Sequence, residues 1–161
     1  MRLALPLAIC IGAALVQATV LPHMALAGVQ PDLVMIVVCL WAALRGRAEA
    51  LLWGILGGAA LELFSGAPPG AALLATIAAA LVANTVGTRA RSGHPIIAFG
   101  GLPAGLLTSF ALMLTAIALR RGTDLQFLAI NAILPALSLD IVVGVAGMGI
   151  ALWADRTASR R

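Results

Sequence analysis

The sequence predicts an all-α integral membrane protein, a compact six-helix transmembrane bundle with both termini in the cytoplasm. Three observations carry this expectation. Of 161 residues, 62% are hydrophobic and only 10% are charged, too few to cover a water-soluble domain of this length. The apolar residues fall in six runs of near-spanning length. The ten basic residues, all arginine, sit mainly in the gaps between them. A net charge of +4 would suggest nucleic acid in a soluble chain. In these gaps it reads as the excess of positive charge that orients membrane proteins, and no nucleic-acid partner is expected.

A helix rises about 1.5 Å per residue, so roughly 20 apolar residues cross the hydrocarbon. The runs are about 3–22, 29–44, 49–65, 70–88, 95–119 and 126–153, and together they make residues 1–161 a single transmembrane domain. The first begins after Arg2 and ends before Ala25-Leu26-Ala27, which imitates a signal-peptide cleavage site. Its apolar stretch, Leu3 to Leu21, is longer than the usual signal core, so it is read as the first span. The second run opens with Pro31-Asp32-Leu33. The third follows Arg45-Gly46-Arg47, carries Gly54, Gly57 and Gly58, and nears its end at Glu62. A turn of Ser65, Gly66, Pro68 and Gly70 leads into the fourth run. That run has small residues at every fourth position: Ala71, Ala75, Ala79, Ala83 and Gly87. The fifth has Gly101 and Gly105. The sixth is long and contains Pro135, which predicts a kink or a preceding interfacial turn.

The arginines set the orientation. With a cytoplasmic N-terminus, eight fall inside (Arg2, Arg45, Arg47, Arg89, Arg91, Arg156, Arg160 and Arg161). Only Arg120 and Arg121 fall outside. Trp41, Trp53 and Trp153 then lie at cytoplasmic ends of their spans, where indole rings favour the interface. Arg45-Gly46-Arg47 and Arg89–Arg91 are read as topology determinants that meet anionic headgroups.

Lipid offers no hydrophobic drive between helices, so close packing depends on small residues at spacing four. Gly54 and Gly58 form one such stripe, and Glu62 continues it; Asp140 lies between Ala136 and Gly144 at the same spacing. Both acids therefore point at a neighbouring helix. Carboxylates in apolar runs are costly. Three roles stay open for them: hydrogen bonding within the bundle, contact with a partner's helix, or lining a solute path. Span order places Glu62 toward the outer leaflet and Asp140 near mid-membrane. Gln17, Asn84 and Asn131 are further candidates for interhelical hydrogen bonds.

Nothing catalytic is expected. His23 and His94 fall in loops on opposite sides and cannot share a metal. No nucleophile triad, phosphate-binding glycine loop or zinc-protease motif is present. Cys10 and Cys39 lie inside apolar runs and read as small hydrophobes.

The stretch from Pro31 to Leu74 resembles the MreD family, small membrane proteins of the bacterial rod-shape system. The resemblance rests on Pro31-Asp32-Leu33, the arginine turn, the glycine-rich run ending in Glu62-Leu63, and the turn of Ser65, Gly66, Pro68 and Gly70. The family usually has Asp at Glu62 and Leu at Pro69. The resemblance implies a non-enzymatic scaffold of the inner membrane that binds MreC, a bitopic protein with a periplasmic part. Through it the scaffold would work with MreB, RodA and a class B penicillin-binding transpeptidase in lateral peptidoglycan synthesis, the elongasome. It also implies a fold distantly like the substrate-binding subunits of energy-coupling-factor vitamin transporters, and no cofactor. Pro31, Asp32, Gly54, Gly58, Glu62, Ser65, Gly66, Pro68, Gly70 and Asp140 are the candidate partner-binding or structural positions. MreC's helix is expected near the third or fourth span. The alternative function is a vitamin-binding transporter subunit, which needs a polar pocket toward the outer face.

Overall fold

A computed structural model describes residues 4–23, 30–65, 69–91, 100–121 and 134–158. Among them are six α-helices and one short 3-10 turn: α1 (Ala4–Thr19), the turn Leu21–His23, α2 (Leu33–Leu44), α3 (Arg47–Ser65), α4 (Ala71–Arg91), α5 (Gly101–Arg121) and α6 (Leu134–Ala158). Each helix overlaps one of the six apolar runs. The fold is an all-helical bundle.

Prolines mark the helix starts. Pro6, Pro103 and Pro135 each lie in the first turn of α1, α5 and α6, where a missing N–H leaves no intrahelical bond unmade. Pro135 is the second described residue of α6, and the stretch before Leu134, where the expected kink or interfacial turn would fall, lies outside the described residues. Asp140 lies within the first two described turns of α6. Gly70 precedes α4 with φ +82°, a backbone conformation that glycine adopts without a steric penalty.

The shortest helix lies at the centre. Helix α2 packs against all five others, while α1, α3, α4, α5 and α6 follow one another around it. Of its 12 residues, Val34, Met35, Ile36, Val38, Cys39, Ala42 and Ala43 are buried. Around it the packing uses small side chains. A Cβ on Gly58 would stand 2.7 Å from Leu73 Cα, and one on Gly87 would stand 2.5 Å from the Ala43 carbonyl oxygen. One on Gly105 would meet Cys39 Sγ at 2.8 Å and the Ala79 carbonyl oxygen at 2.9 Å. Ala75, Ala79 and Ala83 are buried. The ridge on α4 is thus a packing face, and α2, α3 and α5 of the same chain occupy its surroundings.

The bundle is apolar outside as well as inside. Thr76, Asn84, Ser109 and Asp140 are buried, whereas Leu63, Leu74, Leu119, Leu134 and Val142 are each more than 60% exposed. Thr76 and Ser109 donate to carbonyls of their own helices, Ala72 and Leu106, as hydroxyls do where no water competes. Large exposed leucines around a core that holds a few hydrogen-bonded polar side chains suit lipid as the solvent. By length and composition one described stretch, Ala71–Thr88, can cross a membrane unaided; the apolar stretches Pro6–Thr19, Leu33–Leu44, Gly101–Ile117 and Leu134–Gly147 are shorter.

Candidate functional site

The polar side chains of the interior gather at helix ends. At the start of α2, Asp32 is the N-cap, and its Oδ1 accepts from the Met35 amide at 3.0 Å. In a self-contained capping box the residue three positions on would bond back to the cap's own amide. Here that residue is Met35, which cannot. Asp140 of α6 takes its place: the Asp32 amide donates to Asp140 Oδ1 at 2.8 Å, across 108 residues. Gln17 of α1 supplies a third acceptor, with the Val34 amide donating to its Oε1 at 3.3 Å. Three amides that the helix leaves open are satisfied from three segments of chain.

The other end of α2 is closed in the same manner. Asn84 of α4 donates to the Ala42 carbonyl at 2.8 Å and to the Arg45 carbonyl at 2.7 Å. A 12-residue helix is only about 18 Å long, against a hydrocarbon thickness of about 30 Å. An α2 lying across the bilayer would have at least one end within the apolar layer, where an open amide or carbonyl costs several kcal/mol. The caps from α1, α4 and α6 are what such a short helix requires.

Glu62 performs this service for α4. Gly70 at the start of α4 has no side chain to cap with, and the Leu73 amide donates instead to Glu62 Oε1 at 3.2 Å. The acid near the end of α3 and the glycine of the turn are two parts of one cap. Glu62 and Asp140 both engage neighbouring helices, as their spacing predicted. Gly54 faces Ile77 and Ala80, and Gly58 faces Leu73, so the Gly54/Gly58/Glu62 stripe is the contact of α3 with α4. A partner's helix near the third or fourth span would have to use the outward faces instead.

Asp32, Gln17, Glu62 and Gly70 thus lie at one end of the bundle, where α1 and α3 finish and α2 and α4 begin. Pro31 is half-buried beside them. Gly66, Pro68, His94 and Asn131 lie outside the described residues, and Ser65 is described by its place at the end of α3 alone. A cavity of about 110 Å³ opens toward this end, lined by Gln17, Asp32, Ser109, Phe110 and Met113 among others. Sites for drug-sized molecules run to about 300–1,000 Å³, so this space is small for a vitamin.

At the opposite end, the turn from α2 to α3 holds an aromatic cluster. Trp41 stacks on Trp53 with ring centroids 4.8 Å apart and planes at 29°. Trp41 Nε1 donates to Glu49 Oε2 at 3.3 Å, and the Arg45 guanidinium lies over the Trp41 ring at 4.9 Å. Trp53 is only 2% exposed. It therefore packs inside the bundle at this end, and of this pair Trp41 is the more accessible ring. Among the described residues, no group of three or more His, Cys, Asp or Glu could hold a metal ion.

Comparison with known proteins gives one finding that decides the family. The family model described as rod shape-determining protein MreD matches residues 1–146, nearly the whole chain. The chain belongs to the MreD family. It is therefore a membrane protein with a role in determining rod shape. No curated protein matches the chain, and no solved structure does, so the likeness to vitamin-transporter subunits has no structural support. In this MreD protein, Asp32 caps α2, and Glu62 with Gly70 caps α4.

Proposed function

We propose that this MreD protein is a non-enzymatic, six-span scaffold of the bacterial inner membrane that binds MreC and helps organise lateral cell-wall synthesis with MreB, RodA and a class B transpeptidase. The family match over residues 1–146 carries the reading. Eight arginines against two on the alternate sides favour cytoplasmic termini. In that orientation the end bearing Asp32, Glu62 and Gly70 faces the periplasm. The two caps there fix the ends of α1 to α4 relative to one another, which makes a rigid rim.

We place the membrane-proximal part of MreC on that rim, and MreC's helix on an outward face of the bundle. A rigid surface loses little conformational freedom on binding, and this favours a small scaffold with little chain outside the membrane. Affinity purification from native membranes in mild detergent tests the proposal. Recovery of an MreC-like bitopic protein with cell-wall synthases is expected. Loss of that recovery in Glu62→Ala, with the bundle still folded, would assign the rim. Recovery of ATP-binding cassette subunits or a retained vitamin would overturn the scaffold reading.

A further inference from the structure

The turn between α2 and α3 carries a prepared cation that the caps do not use. Arg45 is held at three points. Its amide donates to the Trp41 carbonyl at 3.0 Å, its carbonyl accepts from Asn84 at 2.7 Å, and its guanidinium rests over the Trp41 indole. Trp41 is itself fixed by stacking on the buried Trp53 and by its bond to Glu49. Arg45 and Arg47 are exposed, and among the described residues no carboxylate pairs with either. Glu49, also exposed, leaves the turn with an excess of one positive charge.

From this geometry we infer that the α2–α3 turn is a binding site for the phosphate of one anionic phospholipid, with Arg45 as its principal ligand and Trp41 as the platform that orients it. A guanidinium laid over an aromatic face keeps its N–H edge free, and that edge matches a phosphate bidentately. The indole removes much of the rotamer freedom that a surface arginine would otherwise lose on binding. The turn joins two apolar helices, and a half-exposed indole lies at their end, which is the level of the headgroups. Glu49 opposes an anion, but one of its oxygens is engaged by the Trp41 indole N–H, and two guanidiniums outweigh it. Arg45 and Arg47 provide the attraction.

Native mass spectrometry of the purified protein with equal amounts of phosphatidylglycerol and phosphatidylcholine tests the site. One retained phosphatidylglycerol per chain is expected. Arg45→Gln should lower its retention about fivefold, as losing a charged hydrogen-bonding partner at an exposed site does. Arg45→Lys should lose most of that preference, because an ammonium keeps the charge and lacks the planar edge. Arg156→Gln, on another helix, should leave it unchanged. Circular dichroism of each variant checks that the bundle is folded. Equal loss in Arg45→Gln and Arg156→Gln would reduce the effect to net charge and overturn the site. Full retention in Arg45→Lys would overturn the platform. Displacement of the lipid by millimolar inorganic phosphate would reassign the site to a free anion and overturn the lipid.

Discussion

Helices α3, α4 and α5 are held to α2 and to one another differently from α1 and α6. In the first group, glycines and alanines bring backbones together; Gly58, Gly87, Gly101 and Gly105 each leave no room for a Cβ without displacing a neighbour. In the second, much of the helix surface is half-exposed or exposed, and single polar side chains reach in to α2. Gln17 bonds the Val34 amide and Asp140 bonds the Asp32 amide. Among the described side chains of α6, only Asp140 and Gly144 are buried. The inner group is fixed by shape, which tolerates no added volume. The outer pair is pinned by hydrogen bonds to one helix end, and these can be weakened by degrees.

The sharpest way to break this contrast is to add volume on both sides of it. Gly58→Leu or Gly87→Leu should cost about 3 kcal/mol, the upper end for overpacking, since the obstruction is backbone and cannot move aside. Gly12→Leu on α1, where nothing lies within 4 Å of the added Cβ, should be close to neutral. Thermal unfolding in detergent, followed by circular dichroism, compares them.

The outer pins should give intermediate effects. Asp140→Ala removes the acceptor of the Asp32 amide and should cost about 1–3 kcal/mol, the penalty of an unpaired buried group. Asp140→Asn, which keeps an acceptor oxygen, should cost clearly less. Glu62→Ala should cost about 1 kcal/mol, the usual worth of an N-cap, and Glu62→Gln should restore most of it. The smallest change is expected at the surface. Leu119 is 83% exposed, and Leu119→Ala should alter the unfolding temperature by no more than about 0.5 kcal/mol implies.

Much of this arrangement was legible in the residues. Spacing of small residues pointed to the ridge on α4, and the acids at spacing four pointed to neighbouring helices. The motif of Pro31, Asp32, Glu62 and Gly70 pointed to the family. What the one-dimensional pattern could not carry was which groups meet. An Asp before an apolar run is an ordinary N-cap signal, yet nothing near it announces that Asp140 and Gln17 complete the cap from 108 and about 15 residues away. Span order set Asp140 near mid-membrane, whereas its bond with the Asp32 amide sets it level with the start of α2. The stripe of Gly54 and Gly58 looked available to a partner because spacing shows a close-packing face without showing which helix fills it. The role of Asn84 depends on the carbonyl end of α2, which no local motif marks.

The central claim is that side chains from α1 and α6 cap the short central helix at its start. Amide hydrogen exchange in lipid nanodiscs, read at Asp32, Val34 and Met35 in the wild-type chain and in Asp140→Ala, tests it most directly. The account predicts slow exchange at all three in the wild type, and in the variant a rise of about tenfold or more at Asp32, with α4 unchanged. Equal protection of Asp32 in both proteins would contradict it.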